Sequence, residues 1–369
     1  MALKRPELSI GIEEEYQIID PETRELKSFI TQFLKDDRMI LKQVELKPEL
    51  LQSVVEVGTQ PCKTIQDARA ELIKLRQIVR EIAADQGACI AAAGTHPFSS
   101  WLNQEITPFD RYQGIIQKMQ DAARQLLIFG MHVHVGISDR EHVVDTMNTV
   151  KYFLPHILAI STSSPFWEGR DTGLKSYRAN VFKFLPRTGI PPYLTGFAEY
   201  DKLLEFLINT GTIKDGSSIY WDARPHHAYP TLEFRITDLA TNVNDAIAIA
   251  AMLQALVLKH YKMRVDNIRF RQYPNLLIEE NKWRASRYGI NGTLMDFGKQ
   301  ESLPAKQLIA ELVEFVDDVL DELGTRKEVE HIYKILEEGT SADKQLAIYE
   351  KTGDLKDVVD WLIEETARA

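Results

Sequence analysis

The chain has 369 residues, of which 44% are hydrophobic and 27% are charged, a balance typical of a globular protein with a sizeable core. Its 44 basic and 54 acidic residues give a net charge of −10, which argues against nucleic acid as the main partner because phosphate binding needs a concentrated basic face. No apolar run reaches the ~18 residues of a membrane span, and the N-terminal sequence MALKRPELSIGI lacks the apolar region of a signal peptide. Only two cysteines are present. We therefore expect a cytoplasmic protein without disulfides.

The first predicted element is a strand at residues 11–19, GIEEEYQII, in which apolar and polar side chains alternate. Ile12 and Tyr16 fall on one face, while Glu13 and Glu15 fall on the other, roughly 6–7 Å apart. Like charges side by side on a sheet repel each other. A solvated outer face would explain one such strand, whereas a binding face would explain a pattern that several strands repeat.

Residues 52–58, QSVVEVG, predict a second strand that is largely apolar except for Glu56. Glu49 lies seven positions earlier, so a regular strand would point the two carboxylates to opposite faces. Pro48 indicates that Glu49 lies on a turn or beside a bulge, and either would release it from the regular alternation.

The next elements are mostly helical. Apolar side chains at helical spacing predict helices at residues 65–84, 111–129, 141–161 and 200–209, and residues 89–94 (CIAAAG) predict a buried strand.

Two further strands have a polar face like that of the first. In GMHVHVGI (130–137) this face carries His132 and His134, and in TLEFRIT (231–237) it carries Glu233 and Arg235.

From residue 244 onward the pattern becomes helical throughout. Helices are predicted at residues 244–264, 275–287, 303–322, 326–338 and 354–368, with no convincing strand. The predicted fold class is therefore α+β. We expect a single domain over residues 1–369, with an antiparallel sheet covered by helices on one face in residues 1–243 and a helical region in residues 244–369 packed against it.

The polar faces of the four strands carry glutamate, histidine and arginine, with few of the residues that usually decorate a solvated strand. If the strands share one sheet, one surface of that sheet carries Glu13, Glu15, Glu56, His132 and Glu233, and Glu49 joins them from the neighbouring turn. So many neighbouring carboxylates cannot all stay ionised without cations. Carboxylates with one or two imidazoles suit Mg²⁺ or Mn²⁺, so the sequence predicts a site for these ions.

Several longer segments resemble a known family. The segments GIEEEYQIIDPET, GMHVHVGI, SSPFWEGRDTG and YWDARPHHAYPTLEFRITD are similar, in order and spacing, to those of the glutamate–cysteine ligase type 2 family, also called carboxylate-amine ligases. THPF (95–98) and NKWRASRYG (281–289) resemble further segments of this family. The similarity spans roughly residues 8–290, and six motifs in order are far more specific than a His-x-His pair alone.

The resemblance implies a fold like the catalytic domain of glutamine synthetase, in which the concave face of an antiparallel sheet holds ATP and Mg²⁺ or Mn²⁺. The metal-ligand positions of the family match Glu13, Glu15, Glu49, Glu56, His132 and Glu233, and Arg235 matches a position that faces phosphate or the glutamate carboxylate. The implied reaction is ATP-dependent amide formation. The γ-carboxylate of glutamate attacks the γ-phosphorus of ATP, and the amine of cysteine or another amino acid then displaces phosphate. The family also suggests a homodimer.

Other arginines are candidates for contacts with the substrates. Arg170 and Arg178, in WEGRDTGLKSYR, are predicted to bind the substrate carboxylate or the transferred phosphate, because arginine binds planar oxyanions through two N–H groups. Nucleotide contacts are predicted for His134, Arg224, Arg284 and Arg287. Surface residues without any binding role would give the same sequence pattern.

Three other functions share parts of this pattern. His-x-His on a strand also occurs in metal-dependent amidohydrolases, although the nine histidines supply no clear further ligand set. Guanidino kinases share a related catalytic fold, but their sequence pattern is not evident. A non-catalytic protein that binds metal or nucleotide would keep the same residues without turnover.

Overall fold

The computed structural model describes residues 3–29 and 45–368. The strands in these ranges are β1 (Ile10–Ile19), β2 (Glu45–Pro48), β3 (Val54–Gly58), β4 (Cys89–Ala91), β5 (Met131–Gly136), β6 (Phe166–Trp167), β7 (Arg170–Asp171), β8 (Thr188–Gly189), β9 (Tyr220–Trp221), β10 (Ala223–Pro225), β11 (Thr231–Phe234), β12 (Thr293–Asp296) and β13 (Glu301–Pro304). The α-helices are α1 (Ile65–Asp85), α2 (Asp110–Met119), α3 (Asp121–Arg124), α4 (Arg140–Val150), α5 (Leu154–Ser161), α6 (Arg178–Val181), α7 (Phe197–Asn209), α8 (Val243–Val265), α9 (Asn275–Tyr288), α10 (Ala305–Phe315), α11 (Asp317–Leu323), α12 (Arg326–Glu338), α13 (Ser341–Thr352) and α14 (Leu355–Ala367).

The central sheet has seven strands, in the order β10–β11–β5–β1–β3–β2, and β4 pairs with the last residues of β1. Every pair of neighbours in it is antiparallel. The ten-residue strand β1 is the hub, because β3 pairs along one edge while β5 and then β4 pair along the other. The predicted combination of helices with an antiparallel sheet is confirmed.

Helices cover the apolar face of this sheet. Helix α8 packs against β1 and β5, α1 packs against β1 and β4, and α4 packs against β10 and β11. A continuous cluster of buried apolar side chains extends from Leu8, before β1, to Leu336 in α12, so helices on both sides of residue 244 share one core with the sheet. By length and composition α8 could cross a membrane, but 83% of its most apolar window is buried inside the protein, as expected of a core helix.

The middle glutamate of the first strand lies on this apolar face. Glu14 is fully buried, and its carboxylate accepts hydrogen bonds from Arg76 Nε at 2.9 Å and Arg76 Nη2 at 2.6 Å, and from the Tyr16 hydroxyl. Arg76, in α1, also donates to the carbonyl oxygens of Ala240 and Thr241. The pair therefore ties β1 to α1 and to the chain that leads into α8.

The last helix closes one end of the opposite, polar face. In β1 this face continues from Glu15 through Gln17 to Ile19, and Ile19 packs in a second apolar cluster with Phe166 and Leu362 of α14. Gln17 is fully buried and donates to the carbonyl oxygen of Ala93. The C-terminal helix thus limits how far the polar face extends along the sheet.

Some predicted boundaries were wrong. The helix expected at 111–129 ends at Arg124. The helix expected at 141–161 divides into α4 and α5, because Pro155 lies in the first turn of α5, where a backbone N–H has no partner within the helix and its absence costs no hydrogen bond. The C-terminal region contains the β12–β13 hairpin, which was not predicted because β13 is short and mostly exposed and so lacks apolar alternation. Helix α13 was also missed, although Thr340 and Asp343 form a capping box at its start.

Candidate active site

The sheet register brings the polar side chains of five strands into contact range. On β1, Glu13 lies opposite His132 of β5, and Glu15 lies opposite Glu56 of β3. One strand further out, Glu233 of β11 lies between His134 of β5 and Arg224 of β10. Residues directly opposite in antiparallel strands have their Cβ atoms about 5 Å apart.

Three carboxylates converge at one end of this face. Glu15, Glu49 and Glu56 each offer one oxygen, and the three oxygens lie within 4.8 Å of one another. Glu49 follows Pro48, the last residue of β2, and it escapes the strand alternation that would otherwise point it away from Glu56. Among the described residues, this is the only group of at least three histidine, cysteine or carboxylate side chains at such close range.

Burial and mutual repulsion make this cluster costly to ionise. Burial raises the pKa of Glu15 to about 7, although the Arg178 guanidinium nearby favours its charged form. Burial and the Glu15 charge raise the pKa of Glu49. Burial and the charges of Glu49 and Glu13 raise the pKa of Glu56 well above its ordinary value. A bound cation would remove this penalty.

Lys47 marks where positive charge is favoured. Its Nζ lies 3.6 Å from Glu56 Oε1 and 3.8 Å from Glu13 Oε1, so the ammonium group bridges the carboxylate cluster and the next group of polar residues along the sheet. It lies on β2 directly opposite Glu56.

That next group consists of Glu13, His132 and Glu233. Glu13 Oε2 lies 3.4 Å from His132 Nδ1 and 3.6 Å from His134 Nε2. Burial opposes ionisation of Glu13, but these imidazoles outweigh it and hold the pKa of Glu13 below its usual range. Burial and the Arg235 charge lower the pKa of His132 to about 4, so its ring is neutral near pH 7. Its buried Nε2 has no hydrogen-bond partner in the described chain, which leaves a lone pair for a ligand.

Two arginines hold Glu233. Arg224 donates from Nε to Glu233 Oε2 at 2.7 Å and from Nη2 to Oε1 at 3.2 Å, and Arg235 donates to Oε1. Burial disfavours the charge on Glu233, but Arg235 and Arg224 keep the pKa of Glu233 below its ordinary range. Arg235 directly follows the last residue of β11, and its backbone N–H donates to the Asp222 carbonyl oxygen.

Arg178, at the start of α6, is the third arginine at this face. It is 3% exposed and donates to the Arg235 carbonyl oxygen, while its buried Nε has no partner among the residues described. Burial lowers the pKa of Arg178. Its backbone N–H donates to Ser164 Oγ, which in turn donates to Asp238.

The polar face lines a cavity of about 270 Å³, and a second cavity of about 480 Å³ adjoins it. Both are lined by Glu13. The second cavity lies over the start of β1 and is lined mainly by apolar atoms; His134, Tyr229 and Thr231 are among its lining residues.

The residues present fit divalent metal ions. The cluster of Glu15, Glu49 and Glu56 offers only oxygen ligands, the preferred donors of Mg²⁺ and Mn²⁺. Glu13, Glu233 and the unpartnered His132 Nε2 offer a second, mixed set beside it. The described histidines that line the 270 Å³ cavity are His132, His226 and His227.

The predicted arginines separate into two groups. Arg178, Arg224 and Arg235 line the 270 Å³ cavity. Arg170 is exposed on the short β6–β7 hairpin, and neither cavity includes it. Arg284 bonds to Glu280 and Ser302, Arg287 donates to the Gly173 carbonyl oxygen, and both also lie outside the two cavities. We therefore leave these three out of the site, because their guanidinium groups are exposed or bonded elsewhere.

Sequence reasoning missed other residues at the two cavities. Lys47, which lines the 480 Å³ cavity, was overlooked because β2 was not predicted, although its spacing of two from Glu49 was visible. Arg111 and Tyr112 line the 270 Å³ cavity, but their only signal in the sequence is the start of a helix. His226 and His227, which lie between β10 and β11, also line it.

Comparison with known proteins places these features in a family. Residues 9–361 match the model of glutamate–cysteine ligase family 2. A protein of Roseiflexus sp. (strain RS-1), provisionally named glutamate–cysteine ligase 2, is 57% identical over 97% of this chain and 94% of its own length. A protein of Herpetosiphon aurantiacus with the same provisional name is 56% identical over 97% of this chain and 93% of its own length.

Solved structures agree in fold at low identity. The glutamate–cysteine ligase of Francisella tularensis, in complex with AMP, superposes with a TM-score of 0.69 at 13% identity, covering 100% of this chain and 90% of its own. A bifunctional glutathione synthetase from Pasteurella multocida gives a TM-score of 0.69 at 14% identity, covering 98% of this chain and 52% of its own. The resemblance drawn from the motifs is confirmed. The chain belongs to glutamate–cysteine ligase family 2 and is a carboxylate-amine ligase.

Proposed function

We propose that this ligase uses ATP to join a carboxylic acid, most simply glutamate, to the amine of cysteine or another amino acid through an acyl phosphate. The observation that carries the proposal is that one cavity is lined both by six side chains of metal-ligating types and by three largely buried arginines (Glu13, Glu15, Glu49, Glu56, His132 and Glu233; Arg178, Arg224 and Arg235). Such a site supplies the positive charge that transfer of a phosphoryl group to a carboxylate requires.

The metal ligands divide into two groups. Glu15, Glu49 and Glu56 would hold one Mg²⁺ or Mn²⁺ ion, and Glu13, His132 and Glu233 would hold a second. When bound, the ions neutralise phosphate oxygens and so allow one anion to approach another. Lys47, within 4 Å of Glu13 and Glu56, adds a further positive charge between the two groups.

The adjoining 480 Å³ cavity is the proposed site of the nucleoside part of ATP. Its shared residue, Glu13, lies where the phosphates would pass into the metal-binding face. His134, which lines this cavity and contacts Thr231 Oγ1 at 3.2 Å, would touch the nucleotide rather than a metal ion.

Each arginine has a separate task in this proposal. Arg224 makes two hydrogen bonds to Glu233 and would keep that carboxylate aimed at its metal ion. Arg235 and Arg178 would bind the acid's carboxylate or the transferred phosphate, because both line the cavity and each has a buried Nε without a partner among the described residues. Their fixed positions would align the reacting oxygen with the phosphorus before the reaction begins.

The chemistry then proceeds in two displacements. A carboxylate oxygen attacks the γ-phosphorus, the bond to the bridging oxygen of ADP breaks, and an acyl phosphate forms. The amine nitrogen attacks the acyl carbon, the carbon–oxygen bond to phosphate breaks, and the amine proton passes to solvent. We further propose that residues 1–369 form one catalytic domain, which acts in the cytoplasm as a homodimer.

ADP release tests this function directly. With Mg²⁺ and ATP, sustained release should require both a carboxylic acid and an amine, and Glu13→Gln and Glu233→Gln should weaken binding of Mg-ATP by roughly tenfold or more. Release without an acid would contradict the proposal. Unchanged Mg-ATP binding in both variants would overturn the ligand assignment.

A further inference from the structure

The cavity on the polar face has two chemically different ends. At one end, Arg224 comes from β10, Arg235 from the end of β11 and Arg178 from α6, and the Phe182 ring lies beside the Arg178 and Arg235 guanidinium groups. At the other end, the lining is apolar and comes from the β2–β3 connection and from the segment containing α2 and α3 (Leu50, Val54, Ile115, Met119, Leu126 and Ile128).

The apolar end is a wall with accessible surface. Ile115 and Met119 are only partly buried, and they lie four residues apart on α2, so both project from the same side of this helix. Leu126, just after α3, is also partly buried and packs against the core beside them. Ligand pockets are lined largely by apolar side chains, and covering such a surface with an apolar part of a substrate is favourable.

This wall adjoins the carboxylate cluster. Leu50 directly follows Glu49, and Val54 precedes Glu56 by two positions, so Val54 and Glu56 point to the same face of β3. Arg224 and Arg235 lie towards the far side, since β10 and β11 are separated from β3 by β5 and β1, whereas Arg178 of α6 lies near Glu15. The carboxylate of the acid substrate is attracted to Arg224 and Arg235, which leaves the apolar wall for the other substrate.

We infer that the amine substrate is an α-amino acid with a branched aliphatic or aromatic side chain, larger and more apolar than that of cysteine; this inference rests on the proposed ligase function. Its side chain would cover Ile115, Met119 and Leu126. Arg111, exposed on α2 and attracted to Glu49, lies at the same end of the cavity and would bind the amino acid's carboxylate. The amine would then approach the acyl phosphate across the carboxylate cluster.

The test is a comparison of amines with the acid held constant. With glutamate, Mg²⁺ and ATP, kcat/KM for ADP release is measured with alanine, cysteine, leucine and phenylalanine. Leucine or phenylalanine should exceed both alanine and cysteine by roughly tenfold or more, because each methylene bound in an apolar pocket favours the larger substrate. A cysteine value equal to or above those of leucine and phenylalanine would overturn the inference.

Variants locate the preference on the wall. Met119→Gln should lower the ratio of the leucine value to the cysteine value by roughly tenfold, because the larger substrate would then bury an amide. Lys118→Gln, on the exposed side of the same helix, is the matched control and should keep the ratio. Leu126→Gln provides an independent variant if Met119→Gln melts early. Unchanged ratios in the folded wall variants would contradict the inference.

Hydroxylamine separates this inference from the function on which it rests. As a small nucleophile it needs no apolar wall, so glutamate with hydroxylamine should give a hydroxamate if the ligase proposal holds. Hydroxamate without any preference for apolar amines would overturn only the inference. No hydroxamate with any acid would overturn the proposed function itself.

Discussion

Replacing Glu15 by glutamine should stabilise the metal-free protein, although it removes a proposed metal ligand. The pKa of Glu15 is raised from 4.5 to about 7, first by burial and then by the charge of Glu56. A carboxyl group with a higher pKa in the folded chain binds its proton more firmly when folded. It therefore adds no penalty below about pH 4.5, and it destabilises the fold progressively as the pH rises through about 7.

The size of the effect follows from the two pKa values. With pKa values of 4.5 in the unfolded chain and about 7 in the folded chain, ionisation of Glu15 lowers the free energy of unfolding by about 3 kcal/mol at pH 8. Acidification to pH 5.5 should remove about 2 kcal/mol of this loss. The neutral amide of Glu15→Gln avoids this penalty, and its carbonyl oxygen can still accept the hydrogen bond that Gly130 N donates to Glu15 at 2.6 Å.

The assay is urea unfolding in the presence of a chelator at pH 5.5 and pH 8. Glu15→Gln should be more stable than the parent at pH 8, and its free energy of unfolding should change less between the two pH values. Adding Mg²⁺ should stabilise the parent more than the variant, by up to about 2.7 kcal/mol at a hundredfold excess over Kd. Glu350→Gln, on an exposed part of α13, is the matched control. A Glu15→Gln protein no more stable than the parent at pH 8 would refute the reasoning.

Three other substitutions test separate parts of the account. Arg76→Met leaves the buried Glu14 carboxylate without its partner and should lower the free energy of unfolding by about 3–5 kcal/mol, whereas adding Glu14→Leu should restore most of it; equal stability of Arg76→Met and the parent would count against the pair. Arg235→Lys keeps the positive charge but loses the planar guanidinium group, so kcat should fall by more than about tenfold. Arg284→Lys, at a residue outside both cavities, is the control and should keep parental activity. A fully active Arg235→Lys protein would show that Arg235 takes no part in the reaction. Leu362→Ala in α14 should cost about 2–5 kcal/mol in urea unfolding, with the exposed Glu364→Ala as control, and a loss below about 1 kcal/mol would mean that α14 adds little to the core.

Strand periodicity was the most informative signal in the sequence. Alternation alone assigned Glu13, Glu15, Glu56, His132 and Glu233 to a common face, and the sheet register brings them together. This succeeds because a strand offers its side chains only two directions, so a polar residue among alternating apolar ones reveals its face. Their roles as ligands remain a prediction.

Contacts between distant elements could not be read in the same way. Alternation places Glu14 among the apolar residues of β1, but nothing in the sequence indicates that Arg76, 62 positions later, neutralises it. The positions of the arginines could not be read for the same reason: Arg170, Arg284 and Arg287 stand in motif-like segments, yet tertiary contacts leave their guanidinium groups outside the two cavities. A motif identifies a segment, whereas the direction of each long side chain depends on its neighbours.

Trapping of the acyl intermediate tests the central claim most directly. With glutamate, ATP, Mg²⁺ and hydroxylamine, γ-glutamyl hydroxamate should accumulate in equal amounts with ADP, because an acyl phosphate is open to any small nucleophile. Glu13→Gln should form neither product, and aspartate should react poorly because its side chain is one methylene shorter. ADP release that never yields hydroxamate, across a broad set of acids, would show that the phosphoryl group goes to water or to another acceptor and would contradict the account.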